Sequence, residues 1–210
     1  MSRRTLIEGR AVVLDRDNID TDQIIPVRFL IRTREEGYAD ALFANLRRAS
    51  NAVHASDLLA MDDWNGAKFL IAGKNFGCGS SREQAAWALL DYGFKVVVAE
   101  SFSGIFLNNA FKNGLVAVAL ESSALDRLKA MLGAVPKMPV RVDIETQEVV
   151  AGDGFRAGFE IDAFWQDCLV RGGTEADVTK AFAEQIDCFE RARMESAPWI
   201  FHRGRTPLTR

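Results

Sequence analysis

The central part of the chain alternates between short apolar runs and longer amphipathic segments. The runs at 68–72, 95–99 and 115–120 are compact, and the second is apolar at odd and even positions alike, as in strands covered on both faces. Between the runs, residues 80–92 and 104–112 show helical spacing of apolar positions. Alternating strands and helices predict an α/β fold with a parallel core.

Shorter elements are predicted on either side of this centre. Residues 9–15 have the pattern of a strand, and residues 122–132 have that of a helix. Further on, residues 140–144, 148–151 and 159–161 alternate like antiparallel strands joined by turns. We therefore expect a small layer of antiparallel strands next to the α/β core.

The carboxyl-terminal part is predicted to be helical. Residues 174–177 come close to a capping box, and one long helix then places four apolar side chains on a single face: Val178, Phe182, Ile186 and Phe189. We interpret it as a docking helix. The predicted division is a main domain, residues 1–165, and a helical extension, residues 166–210, packed on that domain.

Residues 27–63 give no clear periodicity. The segment is mixed in polarity and rich in arginine, with a break predicted at 50–52. We assign no elements here, and we expect residues 34–63 to be flexible without a partner.

Composition and charge exclude several classes of protein. The chain has 210 residues, 48% of them apolar, with 26 Lys and Arg against 29 Asp and Glu. The two signs are mixed apart from a basic tail at Arg203, Arg205 and Arg210, so nucleic-acid binding is not expected. No apolar run is long enough to cross a membrane, and the first residues lack the apolar core of a signal peptide. We expect a cytoplasmic protein.

Three cysteines and two histidines limit the metal chemistry that the chain can support. The cysteines lie far apart in sequence and form no zinc or iron–sulfur spacing. We expect reduced thiols, with Cys168 and Cys188 packed as small apolar side chains. A site that needs histidine would have to use His54 or His202. The sequence predicts no metal held by this chain.

The strongest chemical signal lies at residues 73–83, between a predicted strand and a predicted helix. Backbone N–H groups and the positive end of a helix converge on an anion at such a junction. Closely spaced glycines let the backbone approach a ligand, and two hydroxyls and a guanidinium fork suit a carboxylate or a phosphate. The predicted site combines loop backbone and side chains: Gly77, Cys78, Gly79, Ser80, Ser81 and Arg82.

Spacing alone leaves other interpretations of this loop. In the simplest, the loop is a tight turn in which Ser80 caps the helix and Glu83 completes a capping box. In another, the glycines and Glu100 at the end of the next strand indicate a dinucleotide fold. That fingerprint needs a small residue where this chain has Arg82, and the phosphate-loop lysine motif is absent from the sequence. An anion site with an arginine and paired serines remains.

Motifs spread along the chain share one family pattern. They are Asp-Thr-Asp-Gln-Ile-Ile-Pro at 20–26, Asn-Phe-Gly-Cys-Gly-Ser-Ser-Arg-Glu at 75–83, Asp-Tyr-Gly-Phe-Lys-Val-Val at 91–97, Phe102, and Ile-Asp at 161–162. With these motifs, nearly the whole chain resembles the small subunit of 3-isopropylmalate dehydratase, the swivel-domain part of the aconitase superfamily. The resemblance implies an aconitase-like swivel domain with β/β/α layers.

The same resemblance implies half of a hydro-lyase. A large subunit would carry a 4Fe–4S cluster, and this chain, which would bind none, would complete the active site in a heterodimer or a heterotetramer. The reaction would isomerise 2-isopropylmalate and 3-isopropylmalate through dehydration to 2-isopropylmaleate and rehydration, in leucine biosynthesis. The chain alone would be inactive.

The resemblance also implies roles for single residues. Ser80 would abstract a proton as an alkoxide-like base, and the loop amides and Arg82 would stabilise its anion. Arg82 would bind a substrate carboxylate with support from Ser81. Asp22 would orient a catalytic histidine of the large subunit, although the sequence alone also allows an Asx-turn role for it.

Substrate choice is expected to depend on residues 29–33, which match a loop whose composition varies with substrate among relatives. Ile31 offers an apolar contact that favours an isopropyl group over an additional carboxylate, although Arg32 is its neighbour. Relatives commonly have histidine where this chain has Gln84. One alternative is therefore a paralogous hydro-lyase for another small acid, such as a methylmalate. Another is a non-catalytic anion-binding module that uses the same glycine loop.

Overall fold

A computed structural model describes residues 5–49, 64–135, 137–171 and 175–200. Strands within these ranges form one seven-stranded sheet. In chain order they are β1 (Leu6–Leu14), β2 (Phe69–Ala72), β3 (Val96–Ala99), β4 (Val116–Ala119), β5 (Pro139–Asp143), β6 (Glu148–Ala151) and β7 (Phe155–Gly158). Their order across the sheet is β4-β3-β2-β1-β5-β6-β7.

The first strand joins two halves of the sheet that differ in character. On one side β1 pairs in parallel with β2, and β3 and β4 continue the parallel half. On the other side β1 pairs antiparallel with β5, followed by β6 and β7. The predicted α/β class, with a parallel core and added antiparallel strands, is confirmed. In the register of β1 and β2, Leu14 lies opposite Ala72, so the loops that follow these strands leave the sheet at the same edge.

Helices connect and cover the strands. They are α1 (Thr21–Ile24), α2 (Ala44–Ala49), α3 (Glu83–Tyr92), α4 (Gly104–Lys112), α5 (Ser122–Ala134), α6 (Ala163–Arg171), α7 (Glu175–Lys180) and α8 (Ala183–Ser196). Short 3-10 turns cover Val27–Phe29, Ala39–Ala41 and Pro198–Ile200. No helix in the described ranges is long and apolar enough to cross a membrane.

The core covers both the parallel and the antiparallel half of the sheet. Every residue of β2 and β3 is buried, which accounts for their apolar character at both parities. Helix α3 buries one face that includes Leu89, and it ends at Gly93, whose φ of 122° is a conformation that favours glycine. The strands and helices predicted from 68 to 120 are therefore confirmed, with small shifts at their ends.

One segment without predicted elements proves to be part of the core. Tyr38, Leu42 and Phe43 are 1% exposed or less, and α2 follows them directly. The expectation of a flexible region is wrong for this part, because contacts with distant residues, invisible to local periodicity, bury these side chains. Residues 50–63 lie outside the described residues.

The last antiparallel strand is also displaced from its predicted position. It covers Phe155–Gly158, whereas the prediction placed a strand at 159–161. Phe159 and Ile161 are buried, but both their amides donate to Gln147, through its backbone and side-chain oxygens respectively. The alternation of apolar residues here reflects packing after the strand ends.

The chain divides into two compact units, Met1–Gly172 and Gly173–Arg210. In the second unit, α7 and α8 replace the single long helix that was predicted. The break is a tight turn in which the Phe182 amide donates to the Thr179 carbonyl. Cys168, in the first unit, is 3% exposed, as predicted, but Cys188 on α8 is exposed, so its predicted packing is wrong.

Candidate active site

The glycine loop, residues 73–82, connects β2 to α3 and contains several left-handed residues. The φ angles of Asn75, Gly77 and Gly79 are 57°, 73° and 90°. Gly77 meets a second constraint, because a Cβ at this position would lie 2.2 Å from Cγ of Phe106 on α4. Both the backbone conformation and the neighbouring ring therefore require glycine at position 77.

A cluster of three aromatic rings anchors the loop to the core. The Phe76 ring lies 5.2 Å from the Phe106 ring and 6.1 Å from the Phe102 ring, edge to face in both cases. The rings of Phe102 and Phe106 stack on each other at 6.3 Å. Phe76 and Phe106 are fully or almost fully buried, so the loop rests on a rigid base.

The loop after β1 leaves the same sheet edge and is hydrogen-bonded to the glycine loop. The Gly77 amide donates to the Ile19 carbonyl at 2.7 Å, and the Thr21 amide donates to the Cys78 carbonyl at 2.9 Å. The Thr21 hydroxyl, which is almost fully buried, donates to the Ser80 carbonyl at 2.8 Å. The Gly77 amide is thus committed within the protein, and it is not a donor for an anion.

The two serines are exposed at the end of the loop. Helix α3 begins at Glu83, with Arg82 as its N-cap residue and no side-chain capping bond. The interpretation of Ser80 as the cap of a capping box is therefore wrong, because the helix starts after it. Within the described part of the chain, the amides of Gly79, Ser80 and Ser81 have no hydrogen-bond acceptor. These amides, rather than that of Gly77, are the loop donors available to a ligand.

Arg82 lies between the glycine loop and α1. It forms an ion pair with Asp22 and donates to the Ile25 carbonyl at 3.3 Å. Its side chain is 11% exposed, whereas that of Asp22 is 52% exposed. Asp20 takes the Asx role, since its carboxylate accepts from the Gln23 amide at 2.7 Å and caps α1. Asp22 is therefore free of that role and lies beside Arg82.

Ile31 follows the Val27–Phe29 turn and is 90% exposed. The guanidinium of its neighbour Arg32 donates to both carboxylate oxygens of Asp40, at 2.6 and 2.9 Å. These hydrogen bonds raise the pKa of Arg32 and lower the pKa of Asp40 relative to their ordinary values. The cation next to Ile31 is therefore paired within the protein.

Metal-ligating side chains do not cluster in the parts of the chain that the structure describes. No group of three or more His, Cys, Asp or Glu side chains in those ranges could hold a metal ion. Cys78 is a free, half-buried thiol in the glycine loop. Both histidines, His54 and His202, lie outside the described residues.

Comparison with known proteins places the chain in a family. Residues 1–123 match the model of the aconitase C-terminal domain. A 3-isopropylmalate dehydratase small subunit from Hahella chejuensis is 40% identical, over 96% of this chain and 98% of its own length. The chain belongs to the 3-isopropylmalate dehydratase small-subunit family. Another relative with that name, from Rhodospirillum rubrum, is 41% identical over 95% of this chain and 97% of its own length.

A solved structure supports the same family at the level of the fold. The crystal structure of a 3-isopropylmalate dehydratase from Methanocaldococcus jannaschii aligns with a TM-score of 0.63 and 28% identity. The alignment covers 87% of this chain and 98% of that chain. The resemblance of the motifs to the small-subunit family and the expected aconitase-type swivel fold are confirmed.

Three residues that contact the glycine loop or the segment around Ile31 were not found from sequence. Thr21 lies between the two acids of the Asp-Thr-Asp motif, and that position could have indicated that it belongs to the site. Asp40 lies in the segment without periodicity, and Phe106 has the apolar spacing of any buried helical residue. Their contacts with Arg32 and Gly77 depend on the tertiary fold.

Proposed function

We propose that the chain is the small subunit of a 3-isopropylmalate dehydratase in leucine biosynthesis. The reaction removes a hydroxyl and a proton from adjacent carbons of 2-isopropylmalate as water, and the alkene 2-isopropylmaleate then takes up water in the opposite sense. The observation that carries this proposal is that exposed Ser80 shares a loop with Arg82, which pairs with Asp22, in a chain of this family.

Ser80 is the proposed base. A serine hydroxyl is a weak base unless its anion is stabilised, so it needs donors and positive charge nearby. The loop has amides at Gly79, Ser80 and Ser81 without acceptors in the described structure, and α3 begins close to them. The Ser80 carbonyl is held by Thr21, which fixes the backbone that carries the hydroxyl. In this proposal Ser80 takes the proton from the carbon next to a substrate carboxylate.

Arg82 and Ser81 are the proposed carboxylate contacts. The Arg82 guanidinium is mostly buried and uses Nη1 for both Asp22 and Ile25, which leaves its other nitrogen atoms for a substrate. Because half of the Asp22 side chain is exposed, that carboxylate has room for a second partner. We propose that it orients a catalytic histidine of the large subunit.

The partner in this proposal is the large subunit of the dehydratase, in a heterodimer or a heterotetramer in the cytoplasm. The described residues do not fit a 4Fe–4S cluster, because their thiols and carboxylates do not converge into a ligand set. The proposal therefore assigns the cluster to the large subunit, where it would supply Lewis-acid chemistry at the substrate hydroxyl.

A second candidate is a paralogous hydro-lyase that acts on another small acid, such as a methylmalate. Gln84 favours it, because it stands in the first turn of α3, two residues after Arg82, where relatives commonly have histidine. The other argument for this alternative is the cation of Arg32 next to Ile31. That cation is paired with Asp40, so it no longer favours the alternative. If the chain were a non-catalytic anion-binding module, the reconstituted complex would retain its turnover in the Ser80→Ala variant.

The experiment that tests the proposal is anaerobic reconstitution with the cognate large subunit. Alkene formation from 2-isopropylmalate and from 2-methylmalate is followed by ultraviolet absorbance, with each subunit alone as control. Turnover of isopropylmalate that requires both subunits supports the leucine-pathway function. Turnover of only the smaller acid would establish the paralogue, and no turnover of either acid would contradict both.

A further inference from the structure

The Ile31 turn, residues 26–40, carries an arginine that is bound on several sides. Its guanidinium forms the two hydrogen bonds with Asp40 and a longer one, at 3.3 Å, with the Gly37 carbonyl. The same group lies over the Phe29 ring, 4.6 Å from its centroid. Bidentate pairing with a carboxylate is the geometry in which arginine binds most specifically. The positive charge of Arg32 is therefore occupied inside the turn.

The turn is also fixed to α3 at its far end. The Asp91 carboxylate accepts two hydrogen bonds from Arg34 at 2.7 Å and one from the Tyr38 amide at 2.9 Å. The Tyr38 ring packs against Trp87 of α3 at 5.7 Å, and its hydroxyl donates to the Arg32 carbonyl at 2.7 Å. Backbone and side chain of the turn are thus both tied to one helix.

The near end is tied to the same helix through the candidate site. Arg82, the N-cap residue of α3, donates to the Ile25 carbonyl immediately before the turn. One rigid helix therefore fixes the site arginine and both ends of the segment that exposes Ile31. The Ile31 turn and Arg82 are thus held against the same helix.

We propose that Asp40 is a specificity-determining positioning residue, which pairs Arg32 so that the turn presents apolar Ile31 rather than a free cation to the substrate. The inference rests on the proposed function. A substrate with an isopropyl group then meets an uncharged, apolar contact. A third carboxylate in that place would need Arg32 as its cation, but Arg32 is already paired with Asp40. The tricarboxylate therefore binds less well than isopropylmalate.

The test uses the reconstituted two-subunit enzyme with Asp40→Asn. The substrates are isopropylmalate and a malate that carries a carboxyalkyl group in place of isopropyl. The amide cannot hold Arg32 as an anion does, so we expect kcat/KM for the tricarboxylate to rise relative to isopropylmalate by roughly ten- to a hundredfold, the effect of one charge-assisted hydrogen bond. The change should appear mainly in KM for the tricarboxylate.

Two matched variants separate specificity from stability. Glu148→Gln removes another exposed ion pair, with Arg156 at 2.5 Å, in the distant antiparallel half of the sheet, and should leave the substrate ratio unchanged. Arg32→Gln combined with Asp40→Asn should return the ratio to that of the wild type, because no free cation remains. A fall for both substrates by the same factor in Asp40→Asn would show a purely structural role.

The outcomes also separate this inference from the proposed function. A wild-type enzyme that converts isopropylmalate, with a ratio that Asp40→Asn leaves unchanged, overturns the role of Asp40 alone. A wild-type enzyme that converts neither acid overturns the proposed function, and the role of Asp40 with it.

Discussion

Arg82 and Asp22 form an ion pair although they are 60 positions apart in the chain. The pair exists because β1 and β2 are parallel neighbours whose following loops leave one edge of the sheet. Backbone hydrogen bonds from Gly77 and Thr21 then align these loops. The site is therefore a product of sheet topology, and each of its polar groups can be tested separately.

Arg82→Lys should weaken substrate binding. An ammonium group cannot reproduce the planar fork that serves Asp22, the Ile25 carbonyl and a carboxylate together. The loss of one charge-assisted hydrogen bond, worth about 1.5–3 kcal/mol, should raise KM by roughly ten- to a hundredfold. Steady-state kinetics of the reconstituted enzyme measures this. Lys129→Arg, on α5 and paired with Asp15, is the control cation, and a normal KM in Arg82→Lys would contradict the carboxylate role.

Ser80→Ala should abolish most turnover while the fold stays intact. Removal of a general base commonly costs about 10²–10⁴-fold in rate. The side chain is exposed, and the Thr21 hydrogen bond goes to the backbone carbonyl of Ser80, so the substitution leaves that contact in place. Single-turnover alkene formation tests the step, with Ser123→Ala on the exposed side of α5 as control. Retained kcat in Ser80→Ala would support an anion-binding module.

Gly77→Ala and Gly79→Ala should differ in stability, although both residues are left-handed. A Cβ at Gly79 meets its nearest atom at 3.5 Å, so only the backbone conformation is penalised, by about 1–2 kcal/mol. A Cβ at Gly77 also collides with Phe106, which adds roughly 1–3 kcal/mol of overpacking. Urea unfolding of the subunit should therefore rank Gly77→Ala as clearly the less stable variant. Equal stabilities would show that the loop can move away from the ring.

The ion pair of Arg32 and Asp40 should stabilise the fold in a pH-dependent way. The hydrogen bond from Arg32 lowers the pKa of Asp40 below its ordinary value of 3.8, so the stabilisation is complete above that pH and is lost as the pH falls through the lower folded value. The same hydrogen bond raises the pKa of Arg32, so its guanidinium stays protonated throughout this range. The difference in free energy of unfolding between wild type and Asp40→Asn should thus be constant from pH 7 to about pH 5 and shrink below pH 4.

Denaturation at several pH values, with and without added salt, checks this prediction. Asp40 is 69% exposed, so salt should reduce the difference by screening. The same difference at pH 7 and pH 3 would mean that ionisation of Asp40 makes no contribution to the stability of the fold.

The sequence predicted those elements whose burial is encoded locally. β2 and β3 are short apolar runs with turn residues beside them, and helix α4 has the predicted bounds Gly104–Lys112. Tyr38 and Phe43 were missed because their burial depends on Trp87, Asp91 and other residues far along the chain. The break between α7 and α8 interrupts a continuous apolar stripe, so periodicity could not locate it.

The candidate site was predictable in its residue types more than in its contacts. The glycine loop with Ser80 and Arg82 stood out because several unusual residues are concentrated there. The sequence does not tell whether Asp20 or Asp22 caps a turn here, because both carboxylates are placed to accept a nearby amide. The structure gives this role to Asp20, which accepts from the Gln23 amide. The commitment of the Gly77 amide to Ile19 is likewise a tertiary contact, and no spacing rule gives it.

The position of β1 between two sheet halves sets a minimum length for a useful fragment of this chain. One side of β1 is completed by β2, but its other side has no partner until Pro139–Asp143 is present. A fragment that ends before β5, or a nascent chain of that length on the ribosome, therefore exposes an open strand edge in the middle of the future sheet, where it invites aggregation. Because β5 pairs in turn with β6, and β6 with β7, truncation for crystallisation or for display of the glycine loop should retain everything through Gly158.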